Sequence, residues 1–284
     1  MNKYAIFTMD VESFQDTSCL LNKNIVSNQS SMKDGLEIYL ALLNRYQIKA
    51  NLFVLSSFLK DTKKSLLKAI QQGHHISLHG LTHVAPLLQN DQEFQEQILK
   101  SKNLLEKELN VSISGYRAPC FSLDNSKLEI LKDLGLTYDS SYLPSKHDFY
   151  SSNFTLKQFQ KMNPLLYKKD AFFEFSLPIQ HKFPIGGGGY VRIAPWFFIK
   201  SQLKQYLKNN DIYIFYLHPF EVSKEPILTI KNLKWHEKIY LKYNRKTFLH
   251  RIEKIIQLLK KEGFEFKTFE EILSSKEKEF LKTT

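Results

Sequence analysis

The amino-acid sequence predicts an α/β protein built on a parallel sheet, open or closed into a barrel. Three observations carry that expectation. Short apolar runs alternate with longer amphipathic ones through the first half of the chain, the pattern of repeated β-α units. One late run, Ile212 to Leu217, is apolar throughout, as a strand buried on both faces must be. Polar residues of a few chemical types stand at the ends of these runs, where parallel barrels gather their functional groups.

Taken in order, Tyr4 to Met9 reads as a short buried strand. Met32 to Arg45 reads as a helix with Leu36, Leu40 and Leu43 on one face. Asn51 to Leu55 is a second strand, followed by a helix from Lys64 to Ile70 that Gly73 ends. His75 to Leu78 is a third strand, and Glu93 to Leu109 a helix buried through Phe94, Ile98 and Leu105. Ser112 to Tyr116 is a fourth strand. Asn125 to Leu134 is a helix stopped by Gly135, and Leu136 to Asp139 starts a fifth strand. The second half is less regular. Phe172 to Leu177 and Ile212 to Leu217 read as strands, and Phe248, Ile252, Ile255 and Leu259 stripe a late helix. Phe264 to Phe269 closes with a strand, before a polar terminal helix. Pro144 to Asp170 and Pro178 to Asn210 show no regular pattern, and loops that long in a compact domain are often functional. No repeat, low-complexity tract or linker divides the chain, so residues 1–284 are expected to form one domain.

Composition bounds the function. With 43% hydrophobic and 24% charged residues the chain is ordinary globular material. The first apolar stretch is cut short at Asp10, unlike a secretory signal, and no run approaches the roughly 18 apolar residues of a membrane span. The expectation is a soluble, cytoplasmic protein. Cys19 and Cys120 lie far apart with no CxxC pairing, which argues against a disulfide scaffold and a thiolate zinc site. The net charge is +11. Its lysines are scattered through amphipathic helices, which points to a solvated surface. The densest basic stretch, Lys234 to Lys261, is expected to reach an anionic membrane face. No nucleic-acid motif is present.

Seven polar residues mark five strand ends: Asp10 and Glu12, His79 and His83, Arg117, Asp139, and His218. His79-Gly80-Leu81-Thr82-His83 places two imidazoles four residues apart, a spacing that suits one small cation if the segment is a helical turn. A catalytic zinc-type site needs a third protein ligand and an open position. The Asp10-Val11-Glu12 pair is the obvious carboxylate source, since side chains two apart on an extended segment share a face. One acid could bind the ion while the other acts as base. Each motif alone has a bland explanation: surface histidines, a loop-capping acidic pair, a salt-bridged arginine, a strand-end histidine before Pro219. Their combination and order are more specific.

On these residues the sequence resembles the polysaccharide deacetylases, the NodB-homology or carbohydrate esterase family four group. Thr8-Met9-Asp10-Val11-Glu12 resembles the first family motif, and Gly73 to His83 the second. Gly115-Tyr116-Arg117-Ala118-Pro119-Cys120-Phe121 resembles the third, and Leu217-His218-Pro219 the fifth. The fit is closest to a branch with DVE, RAPxFS, YDSS and LHPxE, here Tyr138-Asp139-Ser140-Ser141 and Leu217-His218-Pro219-Phe220-Glu221. The resemblance implies a distorted (β/α) barrel of about seven strands. It implies Asp10 as catalytic base, with Glu12, His79 and His83 as ligands of one divalent ion, zinc first and other first-row metals after it. Arg117 would hold the base, His218 would be the general acid, and Asp139 would be the carboxylate partner of His218. The backbone N–H of Cys120 would help bind the oxyanion. The chain departs from the pattern in three places: Val11 splits the usual adjacent aspartates, His75 replaces the usual Glu of GHE, and no tryptophan marks the fourth motif.

The implied activity is removal of N-acetyl groups from an amino sugar in a glycan or its lipid- or nucleotide-linked precursor. Two alternatives are a related amidohydrolase acting on a cyclic imide or ureide, and a carbohydrate-binding pseudoenzyme. Both histidines, Asp10 and His218 are retained, which disfavours each. The run Gly186 to Gly189 lacks the Lys-Ser/Thr of a phosphate loop. It reads as a flexible turn or as a close backbone approach to a sugar, with Tyr190 and Trp196 as stacking platforms.

Overall fold

The computed structural model describes residues 2–17, 20, 28–144 and 154–280, without the side chains of 276–280. The chain opens with β1 (Lys3–Val11), α1 (Asp34–Arg45), β2 (Ala50–Leu55), α2 (Leu59–Gln71), β3 (His75–Gly80) and α3 (Asp91–Leu109). β4 (Gly115–Tyr116), α4 (Asn125–Asp133) and β5 (Tyr138–Asp139) complete the regular half. Then come β6 (Gln160–Lys161), β7 (Leu166–Lys169), β8 (Phe172–Phe175) and a hairpin of β9 (Ile179–Gln180) with β10 (Phe183–Pro184). α5 (Gly188–Ile193), α6 (Trp196–Asn209), β11 (Ile212–Leu217) and α7 (Pro219–Val222) follow. α8 (Trp235–Lys242), α9 (Arg245–Lys261), β12 (Phe264–Phe266) and α10 (Phe269–Phe280) close the chain.

The sheet order is β11-β1-β2-β3-β4-β5-β8-β7-β6, with β12 beside the start of β1. Strands β11 through β8 in that order pair in parallel, and β7 and β6 turn back antiparallel. With β12, which also pairs in parallel with β1, eight strands run parallel where about seven strands were expected, curled into a half-barrel. Among the described residues its two end strands, β11 and β6, do not pair with each other. β2 and β11 are buried at every residue, which explains why neither alternates in sequence. The helices present the predicted stripes inward: Leu36, Leu40 and Leu43 from α1, and Phe248, Ile252, Ile255 and Leu259 from α9. Each such side chain contributes about 1.5–3 kcal/mol when fully buried.

Two expectations about irregular regions are corrected. Pro178 to Asn210 holds a hairpin and two helices rather than a long loop. α6 buries Ile199, Leu203, Tyr206 and Leu207, a helical period that the aromatic run Trp196-Phe197-Phe198 obscures at its start. Within Pro144 to Asp170, residues 145–153 lie outside the described residues. The remainder forms the antiparallel pair β6–β7.

Candidate active site

The sheet order makes β1 the neighbour of both β11 and β2, with β3 next beyond β2. Their C-terminal ends therefore meet, and Asp10, Glu12, His79 and His218 come together although some 200 residues separate the first from the last. Glu12, His79 and His83 are all buried, and one ligand atom from each lies within 4.8 Å of the other two. The route to this cluster is not the expected helical turn. His79 is the penultimate residue of β3, and the chain then bends through Leu81, Thr82 and His83. Gly80 makes the bend with φ of +121°, a backbone conformation a side chain would strain.

The cluster fits a cation. His79 Nδ1 lies 2.8 Å from the Arg117 carbonyl oxygen. A carbonyl only accepts, so Nδ1 carries the proton and Nε2 offers its lone pair. Glu12 Oε2 sits 2.9 Å from His83 Nε2 and 3.5 Å from His79 Nε2, yet it is buried without a well-formed hydrogen bond. A carboxylate oxygen buried between two imidazole nitrogens in this way is the donor set of a three-ligand metal site. Burial would raise the Glu12 pKa, but the charges of His83 and His218 and the contacts to His79 and His83 hold it well below the usual carboxylate range. The His83 pKa is raised, burial being outweighed by the charge and close contact of Glu12.

Beside this cluster Arg117 Nη1 donates to Asp10 Oδ1 and to Thr8 Oγ1, each at 2.8 Å. Its other nitrogens reach the Ser140 carbonyl at 3.1 Å and the Ser140 hydroxyl at 3.0 Å. The guanidinium is fully buried over the Phe53 ring at 4.2 Å. A buried arginine with this many partners is fixed, and it fixes the Asp10 carboxylate.

His218 Nε2 stands 4.0 Å from both Asp10 Oδ2 and Glu12 Oε1. Its Nδ1 points away, 3.3 Å from Glu221 Oε2, which also accepts from the His218 backbone N–H at 3.0 Å. Glu221 is fully buried, and its other oxygen is 3.3 Å from Arg192 Nε. Arg192, also fully buried, donates onward to the carbonyls of Tyr240 and Tyr243. Burial works against a charged His218, but the Glu12 charge and the Glu221 hydrogen bond and charge raise its pKa to about 9 in the metal-free protein.

This arrangement corrects the assignment of Asp139 as the partner of His218. Asp139 accepts from the Ser141 backbone N–H at 2.9 Å and the Ser141 hydroxyl at 2.7 Å. It also lies in register with Glu174 on the neighbouring strand. Burial and the Asp139 charge push the Glu174 pKa well up, because two carboxylates side by side in a dry interior cannot both ionise. Asp139 is thus engaged with Ser141 beside a Glu174 held in its neutral form, and it shapes the turn after β5. Glu221 was legible as a position, since His218-Pro219-Phe220-Glu221 has Pro at the first helical residue and an acid at the third. Arg192 had no comparable local signal.

The glycine run is neither a mobile turn nor a phosphate cradle. A Cβ on Gly186 would lie 2.3 Å from the Ile214 carbonyl oxygen, and one on Gly188 would lie 2.5 Å from Glu221 Oε2. These glycines let α5 close onto β11 and the Glu221 carboxylate. Tyr190 packs edge-on against Phe183 at 5.6 Å. Lys254 lies over the Trp196 ring at 5.5 Å, so that ring face is covered and does not serve as an open platform. Cys120 is a free thiol with a left-handed φ of 55°. Burial pushes its pKa up to about 12, which leaves the thiol unreactive. Cys19 lies outside the described residues.

Residues 27–138 match the family described as polysaccharide deacetylase, and residues 140–274 match a domain of unknown function, DUF3473. A stretch of 109 residues is 25% identical to the peptidoglycan deacetylase of Helicobacter pylori, covering 38% of this chain and 37% of that relative. The matched stretch is thus well under half of the relative's length. Among solved structures, a candidate polysaccharide deacetylase from Mycobacterium smegmatis superposes with a TM-score of 0.64 at 13% identity, covering 96% of this chain and 90% of that one. A family 4 acetyl xylan esterase from Clostridium thermocellum, in complex with a cobalt ion, gives 0.54 at 13% identity, covering 96% and 92%. A carbohydrate esterase family four pseudoenzyme from Bacillus anthracis gives 0.56 at 11%, covering 96% and 66%. At these identities the structures speak for the fold.

Proposed function

We propose, from the match of residues 27–138 to the polysaccharide deacetylase family and the geometry of the site, that the chain is a metal-dependent hydrolase removing N-acetyl groups from an amino sugar. The observation that carries this reading is the convergence of Glu12, His79 and His83 within 4.8 Å, flanked by a carboxylate clamped on Arg117 and an imidazole clamped on Glu221.

When bound at Glu12, His79 and His83, a divalent ion supplies Lewis acidity, favouring hydroxide over water at neutral pH and polarising a carbonyl. Zinc suits two imidazoles and a carboxylate, and other first-row divalent ions fit the same donors. The residues of the chain do the rest. Asp10 takes the proton of the attacking water, and Arg117 keeps its carboxylate aimed. The Cys120 backbone N–H is the donor we assign to the developing oxyanion. His218 Nε2 faces the acids and gives a proton to the departing nitrogen, because an amide does not leave as an anion. Glu221 holds the proton on His218 Nδ1, so that delivery occurs from Nε2 alone. The products are acetate and a free amino sugar. Retention of Asp10, both metal-site histidines and His218 supports catalysis over a pseudoenzyme role.

The test is acetate release from N-acetylated sugars in polymeric, nucleotide-linked and lipid-linked form, before and after chelation. We expect one divalent ion per chain, loss of acetate release on chelation, and recovery with added zinc or cobalt. Acetate release that ignores the chelator would overturn the metal assignment. No release from any N-acetylated sugar by the metal-loaded protein would overturn the activity.

A further inference from the structure

The outer face of α8 carries exposed apolar side chains beside lysines. Trp235 and Ile239 of α8, and Tyr243 just past its last residue, are 74%, 39% and 51% exposed, and they recur every fourth residue. At about 100° per residue they form one narrow apolar stripe. Lys234, Lys238 and Lys242, all exposed, run along the edge of that stripe. The opposite arc faces inward: Leu241 is fully buried, and the Tyr240 ring packs on Phe220 at 5.9 Å. The helix is therefore amphipathic twice over, anchored by one side and presenting tryptophan, tyrosine and lysine on the other.

We propose that this face docks the protein on an anionic membrane surface. Tryptophan and tyrosine favour the zone between headgroups and acyl chains, where a ring can be half apolar and half wet. A lysine beside such a surface gains attraction that a neutral surface lacks. The helix lies in the interface plane, as amphipathic anchors do, and no helix among the described residues is long and apolar enough to cross a membrane. A second copy of the chain is a poorer occupant. A standard protein interface needs about 800 Å² from each partner, more than three side chains offer. A two-fold contact would also set these lysines against their own copies in a chain of net charge +11.

Docking has a consequence for the site. Phe220, on which α8 rests, stacks on His218 at 6.0 Å. The membrane-bound helix thus holds the His218 side of the site close to the lipid surface. If the deacetylase reading holds, the favoured substrate is an N-acetylated sugar carried on a lipid. The docking itself does not depend on that reading.

The experiment uses the full chain with Trp196→Phe, which leaves Trp235 as the only tryptophan. It is mixed with phosphatidylcholine vesicles with or without phosphatidylglycerol, and binding is read by flotation and by tryptophan emission. We expect flotation only with phosphatidylglycerol, a blue shift of Trp235 emission on binding, and weakening by salt. Lys238→Gln and Lys242→Gln should each lower vesicle affinity about fivefold, and Trp235→Ser with Ile239→Ser should remove most of it. The same variants should release acetate from a soluble N-acetylated oligosaccharide at the unmodified rate, so a failure of docking and a failure of deacetylation are read separately. Equal binding to neutral vesicles, or binding indifferent to these substitutions, would overturn the proposal. So would a dimer in solution that Trp235→Ser with Ile239→Ser dissolves, since it would assign the face to a second copy.

Discussion

On one side of the site Asp10 is held by Arg117, and on the other His218 is held by Glu221; both holders are fully buried. The first pair is 107 residues apart in sequence and is joined by the sheet. β1 and β4 are placed by the strands between them, and Arg117 is locked further by Thr8, also on β1, and by Ser140 at the end of β5. The second pair is three residues apart and is joined by the cap of a four-residue helix. That short helix has little stability of its own. It is seated by outside contacts: Arg192 on the Glu221 carboxylate, and Gly35, where a Cβ would lie 1.9 Å from the Pro219 carbonyl oxygen. Asp10 is thus positioned by several strands, whereas His218 hangs on a few distant residues that press one turn into place.

The strongest way to break the comparison is Asp10→Asn. Asparagine still offers an oxygen to Arg117, so the clamp survives while the base does not. We expect kcat for acetate release to fall about 10³–10⁴-fold with the bound metal unchanged by elemental analysis. Near-normal turnover would move the base to Glu12.

The acid side is tested by setting Glu221→Gln against Asp139→Asn. Glu221→Gln should lower kcat on N-acetyl substrates about 10–100-fold with little change in KM. It should spare 4-nitrophenyl acetate, whose leaving group needs no proton. Asp139→Asn should leave kcat within about threefold, since Asp139 is engaged with Ser141 and Glu174 rather than His218. The reverse ranking of the two variants would restore Asp139 as the partner.

The smallest effect lies at the other end of the same strands. His74 Nδ1 accepts from the Ala50 backbone N–H at 3.0 Å. Burial, with the charges of His75 and Lys49, lowers its pKa from 6.5 to about 4. The unfolded chain therefore binds the extra proton first, so the contribution is complete above about pH 6.5 and is lost as pH falls towards 4. That loss is no more than about 3 kcal/mol. His74→Asn keeps an acceptor without the titration, and urea unfolding from pH 7 to 4 should show its stability falling less steeply than that of the unmodified protein. Parallel curves would exclude His74 as the cause.

The same contrast explains what could be read from the sequence. The parallel strands, the α1 and α9 stripes and the residues of the candidate metal site announce themselves by local period, by residue type and by order along the chain. Asp10, Glu12, His79 and His83 needed only that their strands be neighbours. The partner of His218 was misread because Asp139 matches by motif, while the choice between it and Glu221 depends on where α7 sits. Arg192 could not be found from its own neighbourhood, because its role comes from a carboxylate 29 residues away. α6 was missed for a different reason: its helical period was present, but an aromatic start masked it. The glycine run was misread because its meaning lies in what packs against it.

β1 carries Asp10, yet one edge of it pairs with β11 and the other edge begins on β12. Those partners are residues 212–217 and 264–266. During synthesis at about 5–20 residues per second, β1 leaves the ribosome long before either partner exists. For that interval its free edge is an invitation to any other unpaired strand. A ribosome stalled between His83 and Ile212 releases a chain that holds Glu12, His79 and His83 and lacks the strand that pairs with β1. Chaperone demand for this protein should therefore track the time taken to translate its second half.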